Sequence, residues 1–380
     1  MIKRLIYINK VKFPSAMPST VFSGMNALGF AKNGVETYFL CQTPMGDYRP
    51  YWDFLDVAPV SNLHIVRLAP DWHQLKSNDI FYWRAVQYIL SLPCFSSLDV
   101  VLTRDPGFLP FLYFLKNRTG CKTFYQSHNF YLNIRNRSDL NRVNKNKYHW
   151  FESWFLPSLD GLLTLQSAQA ELYLKYFSLP VKIAWPGLSE IEPYRHDLLK
   201  HKTVAYVGSF QPKKGLQTAL TVFKQAQQPG WKLRLLGGRN ENERAYAEKL
   251  IQEASLENVE ISGWLSYGDL KKQLSNVSLG LLLLEDNFYN RYLTAPSKLF
   301  DYLAFGIPIV ATDLPSLKDF IQHDGEALFH KPDDIDGMTH SLKRLMEDSS
   351  LSERLSQACL KRAQSFLWKK RSADMLKFME

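Results

Sequence analysis

Two lysine-bearing turns in the second half of the chain contain the residue types that bind phosphate. The stretch Ser209–Gly215, SFQPKKG, follows a short apolar run and places Lys213 and Lys214 directly before a helical pattern. The stretch Thr294–Lys298, TAPSK, opens another helical pattern, with Ser297 as its expected cap. A helix N-terminus presents free N–H groups and about half a positive charge, to which lysines add. The two turns therefore predict phosphate binding, although each could also be an ordinary solvated turn.

Two residues of the second turn point to a larger ligand than phosphate alone. Lys298 falls in the first helical turn, where the helix dipole disfavours a cation unless an anion binds there. Asp301 lies four residues after Ser297, on the same side of that helix. A lone aspartate at such a position usually only improves the electrostatics of the helix. Beside a phosphate site, however, its carboxylate can hold ribose hydroxyls.

The elements that must hold these turns are short apolar strands alternating with helical patterns, which predicts parallel sheets with crossover helices. A chain of 380 residues exceeds the size of one ordinary domain, and Pro180, Pro186 and Pro193 mark a linker. We therefore predict an α/β fold of two Rossmann-like, doubly wound parallel-sheet domains, over residues 1–190 and 191–364. A C-terminal helix over residues 365–380 is expected to cross back to the first domain.

In the second half, the candidate turns follow predicted strands, as ligand sites of open parallel sheets require. The predicted strands there are Val204–Gly208, Lys232–Leu236, Val259–Ser262, Leu279–Leu284 and Pro308–Thr312, and the predicted helices include Gly215–Gln227, Ser297–Phe305, Ser316–Gln322 and Ser349–Phe378. In the first half, the predicted elements include strands Leu63–Leu68 and Lys122–Gln126 and helix Asn144–Phe155.

The composition excludes several other classes of protein. With 46% hydrophobic and 22% charged residues, the chain is expected to be globular rather than disordered or fibrous. Its uncharged apolar runs are far shorter than the roughly 18–20 residues of a membrane span, and its first residues lack the apolar core of a signal peptide. The four scattered cysteines indicate buried thiols in a reducing compartment and no zinc site. We expect a cytoplasmic protein without a metal site.

The two lysine-bearing turns also carry a resemblance to a known family. The segments VGSFQPKKG (207–215), LLGG (235–238), ISGWL (261–265) and PSKLFDYLAFGIPIVATDLPS (296–316) resemble the nucleotide-sugar domain of retaining glycosyltransferases of family 4, the glycosyl transferases group 1. The segment TFYQSHN (123–129) is similar to the family strand that ends in a histidine at the interdomain cleft. The resemblance implies the GT-B fold, in which two Rossmann-like domains face a cleft.

The resemblance further implies roles for individual residues. His128 matches the histidine that contacts the donor sugar and Lys214 the lysine that pairs with the donor diphosphate, so both are expected to be catalytic. Asp301 falls where the family has the second glutamate of its E-x7-E motif, which holds the ribose. The implied donor-binding set is Gly208, Ser209, Lys213, Lys214, Gly237, Gly263, Trp264, Leu265, Leu293, Thr294, Ala295, Pro296, Ser297, Lys298 and Asp301.

Three positions depart from the family pattern. The first glutamate of the motif would lie at Leu293, and Glu285 or Asp286 could replace it. The arginine that usually joins the lysine on the diphosphate is replaced by Ser209, so that Lys213 or the backbone would have to supply the lost charge. The loop after the first strand, residues 14–20, contains no glycine where the family has a glycine-rich loop.

The implied function is that of a retaining, metal-independent hexosyltransferase. It would move a sugar from a nucleoside diphosphate, most simply a UDP-sugar such as UDP-glucose, to a hydroxyl acceptor in polysaccharide or glycolipid assembly. No cofactor is expected beyond this co-substrate. Two other functions stay open: a non-catalytic GT-B module that binds nucleotide or anions, favoured by Leu293 and Ser209, and a nucleotide-sugar epimerase or phosphorylase on the same fold.

Positive charge is concentrated in one segment of the first half. The net charge is +9, and residues 116–147 hold eight lysines and arginines against one acid, Asp139. This cluster is either a solvated face or a surface for an anionic partner, and no nucleic-acid partner is expected. The functional interpretation is a lipid-linked, phosphate-bearing acceptor and peripheral attachment to the inner membrane face through Arg135, Arg137, Arg142, Lys145 and Lys147. The neighbouring aromatic residues Trp150, Phe151, Trp154 and Phe155 are interpreted as core packing rather than as a lipid anchor.

Overall fold

The computed structural model describes residues 2–15, 17–43, 50–72, 75–133, 137, 142–211 and 214–380. They form two compact units, one of Met1–Pro186 with Trp368–Glu380 and the other of Gly187–Leu367. The boundaries predicted from the sequence fall at 190/191 and 364/365. In the described part of the chain, no helix combines the length and the apolarity that crossing a membrane requires.

The first unit is built on a seven-stranded parallel sheet. Its strands are β1 (Arg4–Lys12), β2 (Glu36–Gln42), β3 (Leu63–Leu68), β6 (Asp99–Thr103), β7 (Lys122–Gln126), β8 (Gly161–Thr164) and β9 (Val181–Ile183), and β4 (Asp71–Trp72) pairs with β5 (Leu75–Lys76) in a separate hairpin. The strand order is β3-β2-β1-β6-β7-β8-β9. Its helices are α1 (Pro18–Lys32), α2 (Tyr51–Leu55), α3 (Asn78–Ser91), α4 (Leu109–Thr119), α5 (Arg142–Phe155), α6 (Ser167–Leu174) and α14 (Trp368–Met379).

The second unit is a six-stranded parallel sheet with helices between its strands. The strands are β10 (Thr203–Gly208), β11 (Lys232–Gly237), β12 (Val259–Gly263), β13 (Leu279–Leu282), β14 (Ile309–Thr312) and β15 (Ala327–His330), in the order β12-β11-β10-β13-β14-β15. The helices are α7 (Leu216–Ala226), α8 (Glu241–Glu253), α9 (Tyr267–Leu274), α10 (Phe288–Tyr292), α11 (Ser297–Ala304), α12 (Ile335–Glu347) and α13 (Ser349–Ala363). The prediction of two Rossmann-like α/β domains is confirmed.

The second sheet changes direction between β10 and β13. The chain builds outward from β10 through β11 and β12, then returns to the other side of β10 and continues through β13, β14 and β15. The loops after β10 and β13 therefore leave the carboxyl edge of the sheet at its switch point, where open α/β sheets bind their ligands. Both lysine-bearing turns lie in these loops, and the switch point positions them together.

Two helices predicted from the sequence differ in the structure. The predicted helix Ser316–Gln322 is wrong, because only a 3-10 turn forms at Pro315–Leu317, with Phe320 N bonded three residues back to Leu317 O at 3.0 Å. The side chains of Phe320 and Ile321 are fully buried, so their spacing reflects turn packing rather than a helical face. The predicted single helix Ser349–Phe378 is two helices, α13 and α14, separated by a short 3-10 turn.

Helix α14 packs against α1 within the first unit, as expected for a returning C-terminal helix. Met375 and Met379 of α14 share a buried core with Leu5 and Tyr7 of β1. The two helices meet closely at Gly29, where a β-carbon would lie 2.1 Å from Ser372 Oγ. Asn33 at the end of α1 donates from Nδ2 to Lys369 O at 3.1 Å. A glycine inside a helix is unfavourable by itself, so its place in α1 is explained by this close approach.

We predict that Gly29→Val destabilises the protein by about 1–3 kcal/mol, because the added methyl groups must displace Ser372 in a closely packed interface. Gly268→Val is the matched control: Gly268 is also helical, but no atom lies within 4 Å of its β-carbon position. The control is expected to change stability by less than about 0.5 kcal/mol. Urea unfolding measures both values. Equal midpoints for Gly29→Val and the wild type would show that α14 does not depend on this contact.

Candidate functional site

The carboxyl edge of the second sheet is shaped by glycines that let backbone segments approach closely. Gly215 has φ of +76°, and a β-carbon there would lie 1.5 Å from Leu283 O. Gly237 has φ of +151°, and a β-carbon there would lie 1.8 Å from Gly208 O. Any side chain at either position would therefore separate neighbouring strand ends. The glycines bring the loop after β10 against the loops after β11 and β13.

Lys214 lies in this region, directly before α7. Its backbone is held by Tyr206, whose hydroxyl donates to Lys214 O at 2.9 Å and also approaches Ser209 O at 3.2 Å. The Lys214 ammonium lies 5.2 Å from the centre of the Tyr289 ring. Burial, with a smaller contribution from Arg239, lowers the pKa of Lys214 below its usual value.

Lys298 lies in the first turn of α11 and is only 8% exposed. Its ammonium is 4.7 Å from the centre of the Tyr206 ring, and a β-carbon on Gly208 would lie 3.0 Å from the same nitrogen. Burial, with a smaller contribution from the nearby charge of Lys214, lowers the pKa of Lys298 to about 7. The structure therefore brings Lys214 and Lys298, one lysine from each predicted turn, into one electrostatic site.

Neither ammonium group has a hydrogen bond or an ion pair with any residue that the structure describes. Tyr206 contacts both lysines. Its ring lies beside the ammonium group of Lys298, and its hydroxyl donates a hydrogen bond to the backbone oxygen of Lys214. A buried and a partly buried lysine without carboxylate partners, at the carboxyl edge of a parallel sheet, attract an anion strongly, since low dielectric strengthens the interaction. This is the central chemical property of the site.

Asp301 lies one turn along α11 from Lys298 and is not paired with it. Burial raises the pKa of Asp301 to about 7, and its carboxyl group has no hydrogen-bond partner among the described residues. Side chains three residues apart on a helix are close enough to form an ion pair. The aspartate and the lysine instead stay available for different groups of a ligand, the carboxylate for donors and the ammonium for an anion.

The N-terminus of α11 is uncapped by any side chain. Its N-cap residue is Pro296 and makes no side-chain cap hydrogen bond, so the expectation that Ser297 is the cap is wrong. Thr294 is 4% exposed and Leu293 fully buried. Leu293 therefore occupies core space, and its apolar side chain cannot act in place of a carboxylate. Ala295 and Ser297 are partly buried and exposed, respectively.

The remaining predicted site residues lie on the rim of this region or outside the described residues. Trp264 is 49% exposed, and the Arg239 guanidinium lies 5.6 Å from the centre of its ring. It is flanked by Gly263, with φ of +72°, and by the partly buried Leu265. Glu285 is exposed, and Asp286 is paired with Arg291. Lys213 lies outside the described residues.

Glu243 is a positioning residue that the sequence analysis missed. Its carboxylate accepts hydrogen bonds from Phe210 N at 3.1 Å, Arg239 N at 3.0 Å and Gln211 Nε2 at 3.3 Å. It thereby ties the loop after β10 to the loop after β11. The sequence signal was present, since Asn240 caps α8 and Glu243 follows three residues later, the spacing of a capping box.

In the first unit, His128 follows β7 and contacts Arg104, which follows the neighbouring strand β6. The Arg104 guanidinium donates towards the His128 ring, lies 4.1 Å from the centre of the Phe22 ring and donates to Ser23 Oγ at 3.1 Å. Burial, together with the charges of Arg104 and Arg371, lowers the pKa of His128 well below its usual value. His128 is therefore neutral at physiological pH and can both donate and accept a hydrogen bond.

The basic residues of segment 116–147 differ in their exposure to solvent. Arg137 is 1% exposed and donates to Phe130 O and to Asn129 Oδ1, both at 2.8 Å, so the expectation that it faces a membrane is wrong. Lys145 is partly buried and donates to Arg137 O at 3.1 Å, whereas Lys147 is exposed. Arg135 and the side chain of Arg142 lie outside the described residues.

Comparison with known proteins finds a family match for the segment that contains the candidate site. Residues 191–362 match the family model described as glycosyl transferases group 1. This segment contains both lysines, Asp301 and Glu243, and lies within the second unit. The match confirms the prediction, made from the sequence, that this segment resembles the glycosyl transferases group 1.

Two curated proteins are similar to parts of the chain. An exopolysaccharide phosphotransferase of Streptomyces coelicolor is 28% identical over 205 residues, which are 51% of this chain and 20% of that protein. The 2-deoxystreptamine N-acetyl-D-glucosaminyltransferase of Niallia circulans is 24% identical over 160 residues, which are 42% of this chain and 40% of that protein. The chain spans less than half the length of each of these relatives.

Solved structures resemble the chain over nearly its whole length. They include sucrose-phosphate synthase from Thermosynechococcus elongatus, with a TM-score of 0.74 at 16% identity, covering 99% of this chain and 98% of that one. HepE of Anabaena in complex with UDP has a TM-score of 0.73 at 12% identity and covers 98% of both chains. TarM of S. aureus has a TM-score of 0.75 at 11% identity, covering 100% of this chain and 99% of that one. The predicted GT-B fold class is confirmed.

We predict that Tyr206→Phe weakens binding of pyrophosphate and UDP, because the loop that carries Lys214 loses the hydroxyl that fixes it. Tyr302→Phe is the matched control, since Tyr302 is also fully buried and its hydroxyl also reaches two backbone carbonyls, Ala205 O and Leu281 O. Both variants should lose about 1–2 kcal/mol of stability, the cost of a buried unsatisfied group. Calorimetric titration measures the affinities. Equal losses of affinity in both variants would contradict a specific role for Tyr206.

Proposed function

We propose that the chain is a retaining, metal-independent glycosyltransferase that moves a hexose from a nucleoside diphosphate to a hydroxyl acceptor. The donor would be a UDP-sugar, such as UDP-glucose, and the pathway polysaccharide or glycolipid assembly. One observation carries the proposal: two ammonium groups without carboxylate partners, one on a buried and one on a partly buried lysine, lie at the switch point of the segment that matches the glycosyl transferases group 1. HepE of Anabaena, which has a similar fold, was solved in complex with UDP-glucose.

The proposed chemistry needs a group that stabilises the departing diphosphate. As the bond from the anomeric carbon to the phosphate oxygen breaks, negative charge grows on the diphosphate, and fixed cations in a low-dielectric site stabilise it. Lys214 and the free amides at the start of α11 would serve this purpose. The acceptor hydroxyl would form the new bond on the same face, and its proton would pass to a phosphate oxygen of the leaving group. No carboxylate base is then required.

The nucleoside would be held by the groups around the lysines. The unpaired carboxyl group of Asp301 can accept hydrogen bonds from ribose hydroxyls, which would favour its ionised form above its pKa of about 7. The half-exposed Trp264, with Arg239 beside its ring, offers an aromatic surface for a base near Gly263. In the first unit, the neutral His128 would hydrogen-bond the donor sugar. A neutral imidazole suits this role because it donates and accepts without adding a charge.

The activity can be tested in two stages. A thermal-shift panel of nucleotide sugars first identifies the donor, since a ligand at ~100 times its dissociation constant adds about 2.7 kcal/mol of stability. UDP release is then followed with and without an acceptor, in the presence and absence of EDTA. Transfer requires the acceptor and is expected to tolerate EDTA. Conversion of the donor without acceptor would indicate an epimerase, and binding without conversion a non-catalytic module, for which Leu293 in place of a carboxylate is the supporting observation.

We predict that Lys214→Ala lowers the rate of sugar transfer by roughly 10²–10³-fold, the effect of removing one charge-stabilising donor from a transition state. The control is Lys224→Ala, which removes an exposed lysine from the last turn of α7. Turnover with the identified donor measures both. A Lys214→Ala enzyme with unchanged turnover would remove this lysine from the leaving-group site.

We propose that the acceptor lies at an anionic membrane, to which the protein binds peripherally. Exposed aromatic residues support this proposal. Trp150 and Trp154 of α5 are 52% and 67% exposed, so their interpretation as core packing is wrong. Tyr113 and Phe114 of the adjacent α4 are 45% and 43% exposed. We call these four residues the aromatic surface. The exposed Lys147 lies on the same helix as the two tryptophans, and tryptophan with lysine is typical of the membrane interface.

We predict that the double variant Trp150→Ala/Trp154→Ala loses binding to liposomes that contain anionic lipid. The wild type should bind them at low salt, bind neutral liposomes less, and bind more weakly at 0.5 M salt, because lipid charge attracts basic residues only within a Debye length. Trp52→Ala, in the same unit but on α2, is the control. Sedimentation measures the bound fraction. Binding that ignores lipid charge, or that survives in the double variant, would leave a soluble acceptor as the better account.

A further inference from the structure

Three features of the surroundings destabilise the protonated form of Lys298. The side chain is 8% exposed, so its ammonium is largely removed from water. It stands in the first turn of α11, where the partial positive charge of the helix dipole repels a cation. Lys214 adds a second positive charge nearby. Each feature raises the energy of the protonated lysine, and an anion bound between the helix start and Lys214 would relieve all three at once.

The described residues do not neutralise this charge. Asp301 follows Lys298 by three residues on α11, yet no ion pair joins them. The ring of Tyr206 offers a cation–π contact, which is worth only about 0.5–2 kcal/mol. A buried cation without a partner is costly, and the surrounding residues nevertheless leave room for it. In particular, a side chain at Gly208 would place its β-carbon 3.0 Å from the ammonium nitrogen.

We propose that the side chain of Lys298 is the second cation that binds the donor diphosphate beside Lys214, and that diphosphate binding draws a proton onto the protein. This rests on the proposed function, because it assigns the charge partner of the donor in that same site. Ser209 replaces the family arginine, and the sequence predicted that Lys213 or the backbone supplies the lost positive charge. Lys298 reaches the end of β10 from the other side of the switch point. Tyr206 is then a positioning residue for both cations.

The proton uptake follows from the lowered pKa of Lys298. With a free-state pKa of about 7, much of this lysine is neutral at pH 8. A diphosphate beside it favours the charged form and raises its pKa, so a proton is taken from solution on binding. The phosphate groups of UDP ionise near pH ~6 and therefore keep a constant charge between pH 7.5 and 9. UDP affinity should thus fall as the pH rises through this range.

The test compares wild type, Lys298→Met and Lys249→Met, an exposed lysine of α8 in a surface ion pair. UDP and uridine are titrated by calorimetry at pH 8 in two buffers of different ionisation enthalpy. The wild type should take up approximately one proton per UDP. Lys298→Met should bind UDP roughly 10–100-fold more weakly, the range for a hydrogen bond to a charged group. It should also lose most of the proton uptake and bind uridine as the wild type does. Lys249→Met should match the wild type throughout.

The melting temperature of the free protein separates this role from a structural one. Lys298→Met removes a costly lone charge while keeping a long side chain, so the free variant should melt at a higher temperature than the wild type. A lower melting temperature with equal losses of UDP and uridine affinity would make Lys298 structural and overturn the proposal. Unchanged UDP affinity and proton uptake in Lys298→Met would also overturn it, with the proposed function intact. If the wild type bound none of UDP, GDP and ADP, the proposed function itself would fail, and this proposal with it.

Discussion

Mutual repulsion between Lys214 and Lys298 is the constraint on which the second unit depends. The charge of Lys214 is close enough to lower the pKa of Lys298, and no described carboxylate neutralises either ammonium group. Tyr206 holds them with its ring and its hydroxyl, and Gly208 leaves the space that the Lys298 side chain fills. The carboxylate of Glu243 instead accepts hydrogen bonds from the backbone N–H groups of Phe210 and Arg239. The local structure therefore keeps two like charges close together at the expense of its own stability, as functional sites commonly do.

Much of the fold could be predicted because its signals are local. Strands β3 and β7 have the predicted bounds, and most strands of the second sheet lie within two residues of theirs, since short apolar runs between helical patterns define them. Strand β15 was missed because Ala327–His330 is short and has no alternating pattern. The turn at Pro315–Leu317 was misread because burial of Phe320 and Ile321 imitates a helical period. Both errors concern segments whose structure is set by tertiary packing.

The site was predictable in its residue types but not in its contacts. Lys214, Lys298 and Asp301 could be placed near a phosphate because helix starts after parallel strands share one edge of the sheet. The role of Tyr206 could not be seen, because a tyrosine inside an apolar strand looks like core until its hydroxyl is located. The segment after β7 shows the same limit. Arg137 folds inward onto backbone oxygens, while Trp150 and Trp154 face outward, the reverse of what their polarity suggests.

The place of α14 bears on how the protein is made. The second unit is one continuous stretch of chain, Gly187–Leu367, which separates the two stretches that form the first unit. Met375 and Met379 therefore join the core of the first unit only after every residue of the second unit has been synthesised. During translation, the apolar residues that these methionines cover stay exposed for longer than those of a domain made from one stretch. Exposed apolar surface of this kind favours aggregation until α14 is in place.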